Sequence, residues 1–217
     1  TLPHKPDLRS RTVEKRNMTV SEFNLSGRTA LVTGANGYLG RNICLSLARA
    51  GAHVLVNART PSRCANLMEE IKDTGLKASA APFDITDEAA VANFVASCAD
   101  MPLHILVNNA YSGEGGTIAT SPSDAFRDAL EISLVGPHQL FQSLLPHLHV
   151  GRKETGDASV INIASMYGLV SPDLRNYKTA ESSNPPFYGA AKAALLQYTR
   201  YAACEFGPVG IRVNAVA

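Results

Sequence analysis

The run Thr29-Ala30-Leu31-Val32-Thr33-Gly34-Ala35-Asn36-Gly37-Tyr38-Leu39-Gly40 passes from apolar, partly β-branched residues through a glycine-rich turn into a segment of helical periodicity. Leu39, Ile43, Leu47 and Ala50 mark the expected buried face of that helix, and Gly51 supplies its stop. A strand-turn-helix of this kind has a chemical use. Glycine lets the backbone approach a pyrophosphate, and a helix start presents free N–H groups to it. The turn 34–40, with glycines at Gly34, Gly37 and Gly40, is therefore a candidate phosphate site.

Working outward, strand-like runs at 53–57, 77–83, 104–108, 159–163 and 211–216 alternate with amphipathic segments. Thr60-Pro61 reads as a helix start. So does Ser121-Pro122-Ser123-Asp124, with proline at the first helical position and an acid three residues after the serine. Long helices are expected near 121–149 and 185–206. Strand, helix, strand repeated five times predicts an α/β fold: a doubly wound parallel sheet in three layers, helices on both faces. Ligands of such sheets bind at the carboxyl ends of the strands. The glycine turn follows the first strand there, Arg59 the second, Asp84 the third, Asn108-Asn109 the fourth and Ser165 the fifth. Residues 166–184 are polar and aperiodic, and a loop of that length usually covers something.

An acid about 20 residues beyond the glycines would bind a ribose 2′-hydroxyl, whereas a cation suits a 2′-phosphate. The second strand here ends Asn57-Ala58-Arg59. Arg59 can grip a phosphate with two parallel hydrogen bonds, which predicts NADP(H) in preference to NAD(H). Farther along, Tyr188 and Lys192 stand four residues apart on one helix face, so the ammonium favours the phenolate form of the tyrosine. Ser165 would hydrogen-bond the same substrate oxygen and orient it. Together they are equipment for proton transfer.

At 217 residues and 45% apolar, the chain can bury a large core and suggests one domain. The net charge of +1 provides no global field for nucleic acid or an anionic membrane, so a small molecule is the expected partner. Cys44, Cys64, Cys98 and Cys204 are widely spaced, without metal-ligand intervals, and read as buried thiols in a reducing compartment. No apolar stretch reaches the roughly 18 residues of a membrane span and no signal-peptide core is evident; the cytoplasm is the expected location. Residues 1–24 are polar and carry Lys5, Arg9, Arg11, Lys15 and Arg16, which predicts a flexible arm before a catalytic domain at 25–217. Because the sequence starts at Thr1 and stops at Ala217 inside a strand-like run, the C-terminal part of that fold is expected to be missing.

From about Leu25 to its end the chain resembles the compact branch of the short-chain dehydrogenase/reductase family, a Rossmann-like fold. The 34–40 turn carries the resemblance with Asp84-Ile85, Asn108-Asn109-Ala110, Ile161-Asn162-Ile163-Ala164-Ser165, Tyr188-x-x-x-Lys192 and Gly210-Ile211-Arg212-Val213-Asn214. It implies hydride transfer between a nicotinamide and a secondary alcohol or ketone. Tyr188 would be the acid/base, Ser165 would position the substrate oxygen, and Lys192 would act on Tyr188 while holding the nicotinamide ribose. By the same analogy the backbone around Asn36, Gly37 and Leu39 meets the phosphates, Asp84 and Ile85 touch the adenine, and Asn109 lies along the cofactor. Asp84 capping the next helix and Asn108 tying neighbouring strands together are the structural alternatives. The resemblance also implies self-association, as a homodimer or homotetramer, through the two long helices. The spacing of Leu195, Tyr198 and Ala202 fits an interface or ordinary core equally.

Three departures stand out. Tyr38 occupies the usual middle glycine of the turn and Gly37 precedes it, an arrangement similar to the nucleotide-sugar-modifying branch that points to a sugar-like substrate. Ser133 stands where the asparagine of the proton relay is usual; a serine still offers a donor and an acceptor for a relocated water. Tyr111 replaces the glycine that usually follows Asn-Asn-Ala, with Gly113, Gly115 and Gly116 close behind, so that its ring either lines the site or packs beneath a mobile loop. Two other functions fit these departures: a cofactor-recycling epimerase or dehydratase of nucleotide sugars, and a non-catalytic NADP-binding sensor or scaffold.

Overall fold

The computed structural model describes residues 23–99 and 101–217, so residues 1–22 of the expected arm lie outside the described residues. Six strands, β1 (Thr29–Val32), β2 (His53–Ala58), β3 (Ala78–Pro82), β4 (Ile105–Asn108), β5 (Ala158–Ile163) and β6 (Ile211–Val216), alternate with helices. The helices are α1 (Tyr38–Arg49), α2 (Pro61–Asp73), α3 (Glu88–Ser97), α4 (Ser123–Leu130), α5 (Gly136–Thr155) and α6 (Pro186–Phe206). All pairings are parallel and the spatial order is β3-β2-β1-β4-β5-β6, the Rossmann-like arrangement. The winding reverses between β1 and β4, which leaves a crevice at their carboxyl ends.

Alternation along the strands builds two cores. Ala30 and Val32 of β1 pack with Cys44 and Leu45 of α1 and Leu67 and Ile71 of α2. Leu31, pointing the other way, joins Val91 of α3 and Leu140, Leu144 and Leu148 of α5. Each buried leucine contributes about 1.5–3 kcal/mol relative to exposure. At the opposite end of the sheet from the crevice, Asp157 accepts from Arg28 at 2.8 Å and from Arg212 at 2.7 Å. Those two hydrogen bonds, Arg28's first, hold its carboxyl below the usual carboxylate range.

Several expectations need correction. The buried face of α1 is Gly40, Cys44, Leu45 and Ala48, with Ile43 and Leu47 at its margin and Leu39 exposed. Gly40 sets that rotation, because α1 settles so closely that a Cβ there would lie 2.2 Å from the Gly34 carbonyl oxygen. At α4, Pro122 is the N-cap and Ser123 the first residue. Ser121 is not the cap because its hydroxyl accepts from no amide of the helix, and its N–H closes the preceding turn onto the Thr117 carbonyl, where the Thr117 and Thr120 hydroxyls pair. Cys44 and Cys64 are buried, but Cys98 is half-buried and Cys204 exposed. Leu195 and Ala202 belong to the core, and half-buried Tyr198 pairs with His138 at 3.2 Å.

The long helix expected over 121–149 is interrupted. A π-helical turn, Glu131–Val135, separates α4 from α5. Pro137 has no N–H to offer the Ser133 carbonyl, so the ordinary ladder cannot close, and the Gly136 N–H reaches back to Glu131 instead. Residues 166–184 form two 3₁₀ turns, Met166–Gly168 and Leu174–Asn176, joined by the Tyr167 and Tyr177 hydroxyls at 3.0 Å.

Candidate active site

The crevice is a cleft of about 600 Å³ lined by the 34–40 turn, Arg59 and Arg63, Phe83 to Ile85, and Asn109 to Ser112. Gly34 has φ +60° and lies against Ala110, whose Cα a Cβ would meet at 2.7 Å, so glycine is required there. Gly37 caps α1 in an extended conformation, with no side-chain cap and no acid in the first turn. The amides of that helix start are therefore open to an anion. Arg59 projects exposed at the end of β2. Arg63, which sequence reasoning missed, joins it from the first turn of α2, and its carbonyl accepts from the Asn36 side chain. Its signal was the four-residue spacing from Arg59.

The acidic and amide candidates behave differently from one another. Asp84 and Ile85 both line the cleft, but the Asp84 carboxylate accepts from the Thr86 N–H at 3.0 Å and hydroxyl at 2.8 Å. It does not cap α3, whose cap is Asp87. Asn109 braces the glycine turn, its side chain donating to the carbonyls of Thr33 and Gly34 at 2.9 and 3.0 Å. Asn108 donates to Asn162 at 2.8 Å, and Asn162 donates to Thr199 at 2.8 Å, so a buried polar chain ties β4 to β5 and α6. The strand-tying role considered for Asn108 is what the structure contains; Thr199 had no signal in the local sequence.

Ser165 lies two residues beyond the end of β5 and caps the Met166–Gly168 turn, its hydroxyl accepting from the Tyr167 N–H at 3.2 Å. That turn lies on the first helical turns of α6. A Cβ at Gly168 would be 2.8 Å from the Lys192 carbonyl carbon, and one at Gly189 would be 2.8 Å from the Tyr167 carbonyl oxygen. Backbone contact at two glycines thus brings the Ser165 turn against the Tyr188-to-Lys192 segment. Lys192 is 3% exposed and donates to the Ile163 carbonyl at 2.7 Å. Burial pushes its ammonium down to about 8. Ser133, in the π turn, is 1% exposed and its hydroxyl has no protein partner. Tyr188 lines a smaller cavity of about 290 Å³ between Tyr111 to Gly115 and Tyr177 to Pro185.

Tyr111 lines the site. Its ring meets that of Tyr188 edge to face at 4.8 Å, and the Lys192 ammonium lies over both rings at 5.4 and 5.7 Å. Among the described residues no group of three or more His, Cys, Asp or Glu could hold a metal ion, and no helix is long and apolar enough to cross a membrane.

A parallel sheet with an open, anion-ready helix start at its crevice is the arrangement on which proteins of the Rossmann-like class bind dinucleotides. The family described as short chain dehydrogenase matches residues 28–217, and this chain belongs to it. Gluconate 5-dehydrogenase of Gluconobacter oxydans is 31% identical over 198 residues, covering 90% of this chain and 72% of that protein. The solved Pseudomonas aeruginosa RhlG/NADP active-site complex is 31% identical with a TM-score of 0.80, covering 90% of this chain and 73% of that one. A 7α-hydroxysteroid dehydrogenase held with NADH and 7-oxo glycochenodeoxycholic acid is 28% identical with a TM-score of 0.75, covering 90% and 71%.

Proposed function

We propose that this chain is an NADP(H)-dependent oxidoreductase interconverting a secondary alcohol and a ketone, on a polar, sugar-like substrate. The observation that carries the reading is the packing of the Ser165 turn onto the Tyr188-to-Lys192 segment, beside the phosphate-ready cleft. The cleft suits a dinucleotide: glycines stand where a Cβ would collide, and an uncapped helix start faces in. The backbone from Gly34 to Gly40 would hold the pyrophosphate, Arg59 and Arg63 a 2′-phosphate, Asp84 and Ile85 the adenine, and Asn109 would keep the turn in shape. The likeness to gluconate 5-dehydrogenase supports the substrate class, and the two arginines support the phosphorylated cofactor.

A bound nicotinamide supplies or takes the hydride at carbon. In reduction Tyr188 gives its proton to the carbonyl oxygen while Ser165 donates a hydrogen bond to that oxygen and orients it. Developing negative charge on oxygen is then met by two donors and by the Lys192 cation. Lys192 has three donors, one of them spent on Ile163, which leaves two for a ribose. Ser133, buried without a protein partner, would hold the water that resupplies the proton. We place the enzyme in the cytoplasm as a homodimer or homotetramer. The four free cysteines support the reducing compartment.

The test is a panel of ketones, keto-sugars and oxosteroids with NADPH and NADH, followed at the nicotinamide absorbance, for the wild type and Tyr188→Phe. Net NADPH consumption that Tyr188→Phe lowers by about 10²-fold or more is expected. Unchanged turnover in that variant, or cofactor recycling without net oxidation, overturns the reading.

A further inference from the structure

Among the described residues, Tyr111 alone lines both the 600 Å³ cleft and the 290 Å³ cavity beside Tyr188. Its backbone position is set from the cofactor side, since the Thr33 hydroxyl accepts from the N–H groups of Asn109 and Ala110 at 2.9 and 3.1 Å. Its ring is set from the other side, edge to face with Tyr188 at 77°. Gly113 folds over the hydroxyl so tightly that a Cβ there would lie 2.5 Å from it, and that hydroxyl has no partner. Burial, then the neighbouring Tyr188, push the phenol up to about 12, so Tyr111 presents a neutral π face and no charge.

Lys192 needs such a face. It is almost fully buried with one hydrogen bond, and desolvation by itself favours the neutral amine. Burial is the one cause of its depressed pKa. What faces the ammonium is the Ile163 carbonyl of β5 and the rings of Tyr111 and Tyr188, both within the roughly 6 Å at which an aromatic face attracts a cation. Resting on the proton-transfer reading of Tyr188 and Lys192, we propose that Tyr111 is a positioning residue whose ring, paired with that of Tyr188, holds Lys192 cationic and in place in a water-poor site.

The experiment compares Tyr111→Phe, which keeps the ring, with Tyr111→Leu, which keeps apolar bulk without a π face. The titration of Lys192 is followed by ¹³Cε chemical shift in the cofactor-free chain and assigned by its loss in Lys192→Met. The wild type and Tyr111→Phe should titrate together, and Tyr111→Leu about one pH unit lower. The alkaline limb of kcat should move the same way, with the KM for NADPH changed less than kcat. Tyr111→Met gives the same contrast if the leucine variant does not fold. A wild-type titration in the ring-less variant overturns the proposal, as does an equal shift in Tyr111→Phe. If the titration shift is found in a protein without dehydrogenase activity, the functional reading falls while the aromatic hold on Lys192 stands.

Discussion

Replacing Gly168 by alanine tests the central geometry without touching any group that would react. The added Cβ would sit 2.8 Å from the Lys192 carbonyl carbon and 2.9 Å from both the Ala193 nitrogen and Leu196 Cδ1. Ordinary contact begins at 3.4 Å, so the Ser165 turn and α6 must separate by about 0.6 Å, and two of the three obstacles are helix backbone that cannot turn aside. Overpacking of this kind costs about 1–3 kcal/mol of stability. Because a misplacement of about 1 Å can cost about 100-fold in rate, kcat should fall roughly 10- to 100-fold. Gly168 lies outside the cofactor cleft, so the Kd for NADPH should change less than kcat does. Steady-state kinetics, NADPH fluorescence titration and a thermal melt read the three quantities separately. A folded variant with wild-type kcat would refute the claim that this contact holds the Ser165 turn in working position on the Tyr188-to-Lys192 segment.

Further outcomes follow from other parts of the molecule. Arg59→Ser with Arg63→Ser should raise the KM for NADPH by about 10- to 100-fold for each charge-assisted hydrogen bond removed and leave that for NADH nearly unchanged, read by paired cofactor kinetics. Asn162→Ala leaves the Asn108 amide and Thr199 hydroxyl without their shared partner and should cost about 1–3 kcal/mol in urea denaturation. The Asp157 carboxyl is depressed on folding, so its contribution to stability is present above its unfolded pKa and is lost as pH falls through the folded value. Asp157→Asn should therefore be less stable than wild type at pH 7 and converge with it below about pH 4, measured by thermal melts across that range.

Periodicity and punctuation along the chain were enough for the parallel sheet, its five crossovers and the row of candidates at its carboxyl edge, because strand alternation, helix spacing and glycine turns are local properties. The bounds of all the strands lie within about one residue of expectation, with β3 starting one residue later and ending one sooner. What failed were features in which a neighbouring turn or proline, within about six residues, overrides the simple period. The approach of Gly40 to Gly34 rotated α1, the Thr117 turn took Ser121 from α4, and the proline at 137 opened a π turn at the buried serine.

Sequence by itself determined the class of fold and the chemical kinds of side chain at its edge, since a 3.6-residue or two-residue period and an ionisable group are legible without neighbours. Tertiary structure alone decided how those groups meet. The burial that depresses Lys192, the aromatic pair beneath it and the Asn108–Asn162–Thr199 chain all join residues far apart in the chain. Desolvation and packing depend on what surrounds a side chain in three dimensions, and no spacing along a single strand or helix encodes that.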